Sequence, residues 1–240
     1  ELFSEGLHHS AARIELGDLR FNSELGHKLT FTYLQNKGNL KFSLNPFINF
    51  INDFILIEPT KIEQTVRGSF QVWEYKQTNA RLSGIDVDLT YVLNQYFSFN
   101  NQSSLVNAYD FKENEPLINI PPVNTKNEIA YNNLKLNNLK LVFQSEYVFR
   151  QNEYPNNNFK VYIPTSETFE LVNISDPPKA YHLLNFNSSV NFSVFNKSKL
   201  NLTFRINNLF NVSYKNYLNR LRYYSHDLGR NFTLNLKLNY

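Results

Sequence analysis

The C-terminal end of this chain carries a strict two-residue repeat of hydrophobicity. Large apolar side chains occupy every second position, and polar side chains lie between them. The apolar positions are Phe232, Leu234, Leu236, Leu238 and Tyr240. Because successive side chains of a β-strand point to opposite sides, the repeat predicts a strand with one apolar and one polar face. The apolar face would pack on a core in a soluble domain, or contact lipid in an outer-membrane barrel.

The same alternation recurs along most of the chain and predicts about nine strands. Their bounds are 22–35, 39–57, 67–93, 95–110, 123–136, 138–152, 180–195, 199–212 and 227–240. The phase slips near Asn132 and Asn133, which is typical of a β-bulge. Charged residues on the polar faces are expected to project into a barrel lumen; they are Asp86, Asp88, Glu146 and Arg205. Aromatic residues near strand ends could form interface girdles; they are Phe97, Phe99, Tyr147, Phe149 and Tyr240.

The predicted connections alternate between short and long. Tight turns are expected at 36–38, 94–95, 137–138 and 196–198, and longer connections at 58–67, 110–124, 152–179 and 211–228. Outer-membrane barrels have short periplasmic turns and long extracellular loops. The pattern favours an antiparallel up-and-down transmembrane β-barrel. The alternative is a soluble β-sandwich, whose strands are usually only about 3–10 residues long.

Composition excludes several classes of protein and site. There is no run of about 18 apolar residues, so neither a transmembrane helix nor a signal peptide is predicted. The absence of cysteine excludes disulfides and thiolate sites. A net charge of +3 is too small to argue for a nucleic-acid partner. No nucleophile elbow, glycine-rich phosphate loop or metal-binding helix motif is present, so we predict no enzyme, no catalytic residue and no resident cofactor.

The odd strand number and the missing methionine both bear on completeness. Single-chain bacterial barrels have even strand numbers. Nine strands would leave two open edges in lipid, where each unsatisfied backbone group costs several kcal/mol. The sequence contains no methionine, even at position 1. We therefore expect this chain to be part of a longer barrel, with the remaining strands on the same or another polypeptide.

A first group of candidate site residues combines imidazoles and carboxylates near the N-terminal end. His8, His9, Glu5 and Glu15 could form a metal site, since neutral imidazole suits Zn, Cu and Fe. His8 and His9 could equally contact haem. The alternative is that this segment is only a structural loop.

A second group of candidates lies in the last long connection, which is rich in aromatic residues and arginine. Arg220, Arg222, Tyr223 and Tyr224 could bind an anionic or planar ligand through ion pairing and stacking. The alternative is a cationic, aromatic outer loop close to lipopolysaccharide headgroups.

Several segments resemble TonB-dependent outer-membrane receptors. They are residues 1–18, 77–86, 120–122 before a strand, 207–212 and the closing strand 229–240. The resemblance implies a barrel of about 22 strands with an N-terminal plug in its lumen. Residues 1–21 would be an extracellular loop segment, and residues 22–240 the C-terminal portion of the barrel. The Asn-, Lys-, Phe- and Ile-rich composition resembles that of Bacteroidetes proteins.

The resemblance also implies a function and partners. The protein would take up a scarce nutrient across the bacterial outer membrane, with a ferric siderophore, haem, a metal such as zinc, cobalamin or a glycan as cargo. Expected partners are outer-membrane lipid, the remaining strands and plug, the TonB–ExbB–ExbD complex through that plug, and the barrel assembly machinery, which would use Tyr240. The alternatives are a passive channel or adhesion barrel without a plug, and a soluble β-sandwich binding module.

Overall fold

A computed structural model describes residues 5–194 and 198–239, whose regular secondary structure is β-strand apart from one 3-10 turn at His9–Ala11. The strands are β1 (Glu5–His8), β2 (Arg13–Leu16), β3 (Leu25–Thr30), β4 (Tyr33–Lys37), β5 (Leu40–Thr65), β6 (Gly68–Val92), β7 (Phe97–Asp110), β8 (Glu115–Pro116), β9 (Asn124–Asn133), β10 (Leu139–Val148), β11 (Phe159–Ile163), β12 (Thr168–Val172), β13 (Tyr181–Val194), β14 (Ser198–Asn207) and β15 (Asn231–Asn239). Within this part of the chain, no helix is long and apolar enough to cross a membrane.

The main sheet is an antiparallel meander in which neighbours in sequence are neighbours in space. Its order is β5–β6–β7–β9–β10–β13–β14–β15, with β3 and β4 paired in succession along β5. The nine predicted strands are therefore confirmed, with the first one divided into β3 and β4. The β1–β2 hairpin joins the same sheet because β2 pairs in parallel with β6. The hairpin β11–β12 forms a separate small sheet.

The register gives the meander one polar and one apolar face. On the polar face, Gln144 accepts a hydrogen bond from Asn185 and donates one to Glu128, at 2.8 and 2.6 Å. On the apolar face, Leu236 of β15 lies opposite Leu202 of β14 and is 67% exposed. This distribution is inverted relative to a soluble protein, because the exposed face carries the apolar side chains. It matches a barrel wall with lipid outside and a polar lumen inside.

Two predictions about local structure are wrong, and two predicted loop segments contain short hairpins. The long connection expected at 58–67 is wrong, because β5 and β6 continue as one hairpin that turns at Val66 and Arg67. The pairing of β9 is regular, so there is no bulge at Asn132 and Asn133; β5 instead has register shifts between Ile51 and Phe54 and between Pro59 and Lys61. The segment 1–21 contains the β1–β2 hairpin, and the connection 152–179 contains β11 and β12. The predicted turn at 196–198 and Tyr240 lie largely or wholly outside the described residues.

Gly84 explains one part of the segment that resembles the receptor family. An added Cβ at this position would lie 2.5 Å from the Leu105 carbonyl oxygen and 2.7 Å from the Phe47 ring. Gly84 pairs with Phe47 across β5 and β6, so the ring covers the glycine backbone. The close approach of three strands therefore requires a residue without a side chain.

Candidate ligand site at the outer mouth

Two long connections of the meander fold back over the polar face. Leu117, which is 1% exposed, packs with Leu56, Ala80 and Ala108 from the wall, and Ile120 adds to this cluster. The register places Ala80 and Ala108 on the polar face of the wall. Each of them lies within two positions, along its strand, of a polar side chain that is hydrogen-bonded. The connection between β7 and β9 therefore covers the lumen side of the sheet at one end.

The connection between β14 and β15 does the same further along the sheet. Val212 and Tyr214 pack on Val148, Tyr181 and Leu183. The rings of Tyr181 and Tyr214 are 4.5 Å apart, and burial raises the pKa of the Tyr214 phenol. Both long connections thus converge on the lumen side of the same end, which we call the outer mouth.

The β1–β2 hairpin brings a buried ion pair to the outer mouth. Arg13 and Glu15 are 4% and 3% exposed, and their side chains share one side of β2 because they are two residues apart. The Arg13 guanidinium binds Glu15 Oε1 through Nε at 2.7 Å and Nη2 at 2.6 Å. It also lies 4.6 Å from the centre of the Trp73 ring, a cation–π distance. Burial of both charges is offset by this pairing and stacking.

Further groups converge on the Glu15 carboxylate. Tyr75 donates a hydrogen bond to Oε2 at 3.2 Å, and His8 Nε2 lies 3.9 Å from the same oxygen. Arg220 Nη1 lies 3.9 Å from Oε1. Burial by itself raises the pKa of Glu15, but the hydrogen bond and charge of Arg13, together with His8 and Tyr75, bring that pKa below its usual value of 4.5. Glu15 is therefore a carboxylate at neutral pH.

Arg222 organises the last connection in a similar way, without a carboxylate within ion-pair distance in the part of the chain that the structure describes. Its guanidinium lies 4.3 Å from the Tyr217 ring centre and 4.7 Å from that of Tyr223. It also donates to Tyr223 Oη at 2.6 Å and to Asn119 Oδ1 at 3.3 Å. Burial raises the pKa of Tyr217 and Tyr223, so both phenols stay protonated beside this cation.

The hairpin and the last connection touch each other directly. Tyr224 donates a hydrogen bond from its hydroxyl to the Ala12 carbonyl at 3.1 Å, and the Trp73 and Tyr223 rings are 6.2 Å apart. Ala12 adopts a left-handed conformation with φ of 48° as the chain leaves the short 3-10 turn. Residues more than 200 positions apart in sequence are therefore held together at the outer mouth.

A cavity of about 680 Å³ opens beside these contacts. Its polar lining includes Arg220, Tyr75, Asn119 and Glu24, and its apolar lining consists of Phe54–Ile57, Ile118 and Ile120. The Arg220 side chain is 61% exposed, so its charge is available to a bound molecule. The volume falls within the range of small-molecule sites, and its mixed lining is typical of them.

The predicted metal ligands do not gather into one group. Of the four, His8 and Glu15 lie close together, but Glu15 is held by Arg13, and His9 Nε2 lies 3.1 Å from the Arg67 guanidinium. Among the described residues, no three His, Asp or Glu side chains are placed to hold a metal ion. Of the second predicted group, Arg222 and Tyr223 lie in the packing between connections, and Arg220 faces the cavity.

The family of this chain is identified by the part of the sequence that forms the wall. The family described as "TonB dependent receptor-like, beta-barrel" matches residues 20–209, which is most of the sequence. The chain belongs to this family. It is therefore a bacterial outer-membrane barrel protein, as the alternation and the inverted faces predicted, and the soluble β-sandwich is excluded. No curated protein is similar enough in sequence to count as a match.

Solved structures of a copper transporter, a siderophore receptor and an iron transporter have the same fold. The copper transporter OprC is 17% identical with a TM-score of 0.69, over 92% of this chain and 31% of that one. The siderophore receptor PirA from Acinetobacter baumannii is 15% identical with a TM-score of 0.61, over 93% and 33%. The FrpB iron transporter from Neisseria meningitidis is 17% identical with a TM-score of 0.62, over 93% and 32%. The chain thus spans about one third of the length of each.

Sequence reasoning missed most of the outer-mouth contacts. Arg13, Trp73, Tyr75 and Asn119 were not among the predicted site residues. One signal was available, because Arg13 and Glu15 alternate with apolar residues in Arg13–Leu16 and so had to share one side of a strand. The partners from β6 and the last connection left no such signal, since they are distant in sequence.

Proposed function

We propose that this chain is the C-terminal part of a receptor that imports a scarce nutrient through the outer membrane, with energy supplied by TonB, ExbB and ExbD through a plug. The single observation that carries this proposal is the family match over residues 20–209. The copper, siderophore and iron receptors with the same fold support a metal or metal complex as the class of cargo. The partners of the barrel would be the remaining strands, the plug, the surrounding lipid and the assembly machinery.

The cavity at the outer mouth is the best candidate for first contact with that cargo. Arg220 provides an exposed cation, and Tyr75 and Asn119 provide neutral hydrogen-bonding groups. The exposed charge of Arg220 can attract an anionic metal complex, whereas the charge of Arg13 is already neutralised by Glu15. His8, Tyr223 and Tyr224 would hold the hairpin and the last connection in position around it, and His9 would contribute at the rim.

Uptake by cells separates energised import from a passive channel. In a strain that carries the full-length receptor, uptake of radioactive iron should be measured with a panel of ferric siderophores and with haem, alongside copper uptake from a copper salt. Energised import predicts that deletion of tonB abolishes uptake of the cognate cargo while binding to cells persists. Uptake that continues without TonB would support the passive channel instead.

Variants of the cavity test the ligand site apart from the transport mechanism. Arg220→Gln removes the exposed charge and should weaken binding of an anionic complex by about tenfold, which corresponds to about 1.4 kcal/mol. Lys215→Gln, in the same connection but outside the cavity lining, is the matched control. Equal affinity of both variants and the wild-type receptor would show that the cargo binds elsewhere.

A further inference from the structure

The lipid-facing side of β5 carries a continuous apolar band of limited height. Its side chains are apolar at every second position from Leu40 to Phe50: Leu40, Phe42, Leu44, Pro46, Ile48 and Phe50. At roughly 3.3 Å per residue and a tilt of roughly 40°, this stretch spans about 25 Å along the barrel axis, which is the height of the apolar band of an outer-membrane barrel. The next side chain on this side, Asn52, is polar. Phe50 therefore marks one edge of the band.

A charged side chain, Arg81, lies on this edge of the band. The register aligns Arg81 of β6 with Phe50 on one side and with Tyr109 of β7 on the other, so the three side chains share the lipid-facing side of the wall. The opposite edge of the band, at Leu40, adjoins the tight turn between β4 and β5. Because short turns of outer-membrane barrels are periplasmic, Arg81 lies at the extracellular edge, at the level of the outer-leaflet headgroups.

The charge of Arg81 is not neutralised by the part of the chain that the structure describes. No carboxylate in that part lies within ion-pair distance of its guanidinium, including Glu153, which accepts a hydrogen bond from the neighbouring Asn107. Its Nε is buried and has no hydrogen-bond partner among the same residues. The guanidinium does lie over the Tyr109 ring, 6.0 Å from the ring centre. Arg81 therefore has unused charge and unused N–H donors on the lipid side of the wall.

An arginine at this level can either extend its charge into water or bind an anionic headgroup. The Arg81 side chain is half-buried, and its buried Nε and its position over Tyr109 hold the guanidinium against the wall instead of in bulk water. An arginine fork matches the oxygens of a phosphate, and stacking on a ring leaves the in-plane donors free. His27 of β3, which is exposed and lies opposite Phe50, adds a second N–H donor to the same row of the sheet.

We propose that Arg81 binds a phosphate of a lipopolysaccharide headgroup in the outer leaflet. The negative charge of the phosphate complements the unpaired guanidinium. The occupant is a lipid and not a soluble anion because the adjoining Phe50 is 44% exposed on the apolar band, so the ligand that fits both residues carries acyl chains next to its phosphate. The site lies on the outside of the wall, so it is independent of the cargo and of TonB.

Binding of lipopolysaccharide to the purified full-length receptor tests the site without any substitution. Native mass spectrometry in detergent should be used to titrate the receptor with rough-type lipopolysaccharide and with the same lipid after removal of its phosphates. The phosphorylated lipid should bind several-fold more tightly, and inorganic phosphate at the same concentration should not displace it. Equal binding of the two lipids would overturn the proposal. Complete displacement by inorganic phosphate would also overturn it, in favour of a site for a free anion.

Variants assign the preference for phosphate to Arg81. Arg81→Gln should abolish the preference for the phosphorylated lipid, and Arg81→Lys should keep part of it because the charge remains without the fork, while heat-modifiable gel mobility stays unchanged in both. Lys61→Gln is the matched control, because Lys61 is an exposed cation on the same β5–β6 hairpin, beyond the apolar band. A preference that survives Arg81→Gln would overturn the proposal. So would an equal loss in Lys61→Gln or in Glu153→Gln, because the effect would then not be specific to Arg81.

Discussion

The wall and the outer mouth of this protein are built by different physical rules. In the wall, each strand pairs with its neighbour in sequence, and the two-residue period alone decides which side chains face lipid. At the outer mouth, the important contacts join distant parts of the chain, such as Tyr224 with Ala12 and Arg222 with Asn119. The wall should therefore tolerate charged substitutions on its lumen face only, whereas the mouth depends on individual pairs.

The largest effect should come from the buried ion pair at the mouth. Glu15→Ala leaves the buried Arg13 charge without its carboxylate and should destabilise docking of the β1–β2 hairpin by about 3–5 kcal/mol. Hydrogen exchange of the amides of residues 5–16 in the full-length receptor would measure this. Asp18→Ala is the matched control, because Asp18 and Arg20 form a similar pair at 2.7 Å on the exposed surface and should matter little. Equal hydrogen-exchange rates in the two variants would show that the buried pair stabilises docking no more than the exposed pair does.

The next effect concerns the two faces of the wall. Leu236→Arg puts a charge on the lipid face and should cost about 2–4 kcal/mol of barrel stability near the midplane. Asn235→Arg, one residue away on the polar face, should cost much less. A urea titration of folding into lipid vesicles gives both values. If the two substitutions cost the same, the assignment of the faces is wrong.

A smaller effect tests the close approach of strands at Gly84. Gly84→Ala pushes a methyl group against the Leu105 carbonyl and the Phe47 ring and should cost about 1–3 kcal/mol. Gly26→Ala is the control, because the nearest atoms to its added methyl group lie 3.6 and 3.8 Å away. The same folding titration applies. A neutral Gly84→Ala variant would show that the three strands separate more easily than their packing indicates.

The smallest effect at ordinary pH is the change in hairpin stability that accompanies protonation of Glu15. Because its pKa in the folded state is lowered, its ionised form stabilises the docked hairpin above the usual value of 4.5, and this contribution is lost as the pH falls through the folded-state pKa. The hydrogen-exchange rate of the hairpin amides, corrected for the intrinsic exchange rate, should therefore rise when the pH is lowered from 7 to below 4. Glu15→Gln should remove this acid dependence. If the wild-type hairpin is equally protected from exchange at both pH values, the ionised form of Glu15 does not stabilise docking.

The sequence predicted the wall well and the mouth poorly, for a physical reason. Strand alternation is a local signal, and antiparallel neighbours are joined by short connections, so nine strands and their order followed from period and turn positions. The same reasoning missed the extension of β5 and β6 beyond Glu58, because Pro59 and the charged residues that follow look like a loop. They form a strand because their partners on β6 satisfy the backbone hydrogen bonds and the register shift accommodates Pro59.

Some polar side chains on the lipid face show the limit of the local signal within the wall itself. Alternation assigns polar residues to the lumen, yet Asn101, Ser103 and Asn127 face the other way. Their placement is fixed by Phe97 and Phe99 on one side and Leu105 on the other, since a strand cannot change face without a bulge. Only the pairing of β7 with β9 shows that these residues meet each other.

The amino-acid sequence by itself determined that this protein is an antiparallel wall with a lipid face and a lumen face, because that property repeats every two residues. The tertiary structure alone decided which side chains meet at the outer mouth and on the lipid face. Contacts such as Arg13 on Trp73 and Tyr224 with Ala12 depend on how separate connections fold over the wall, and no local period records that arrangement.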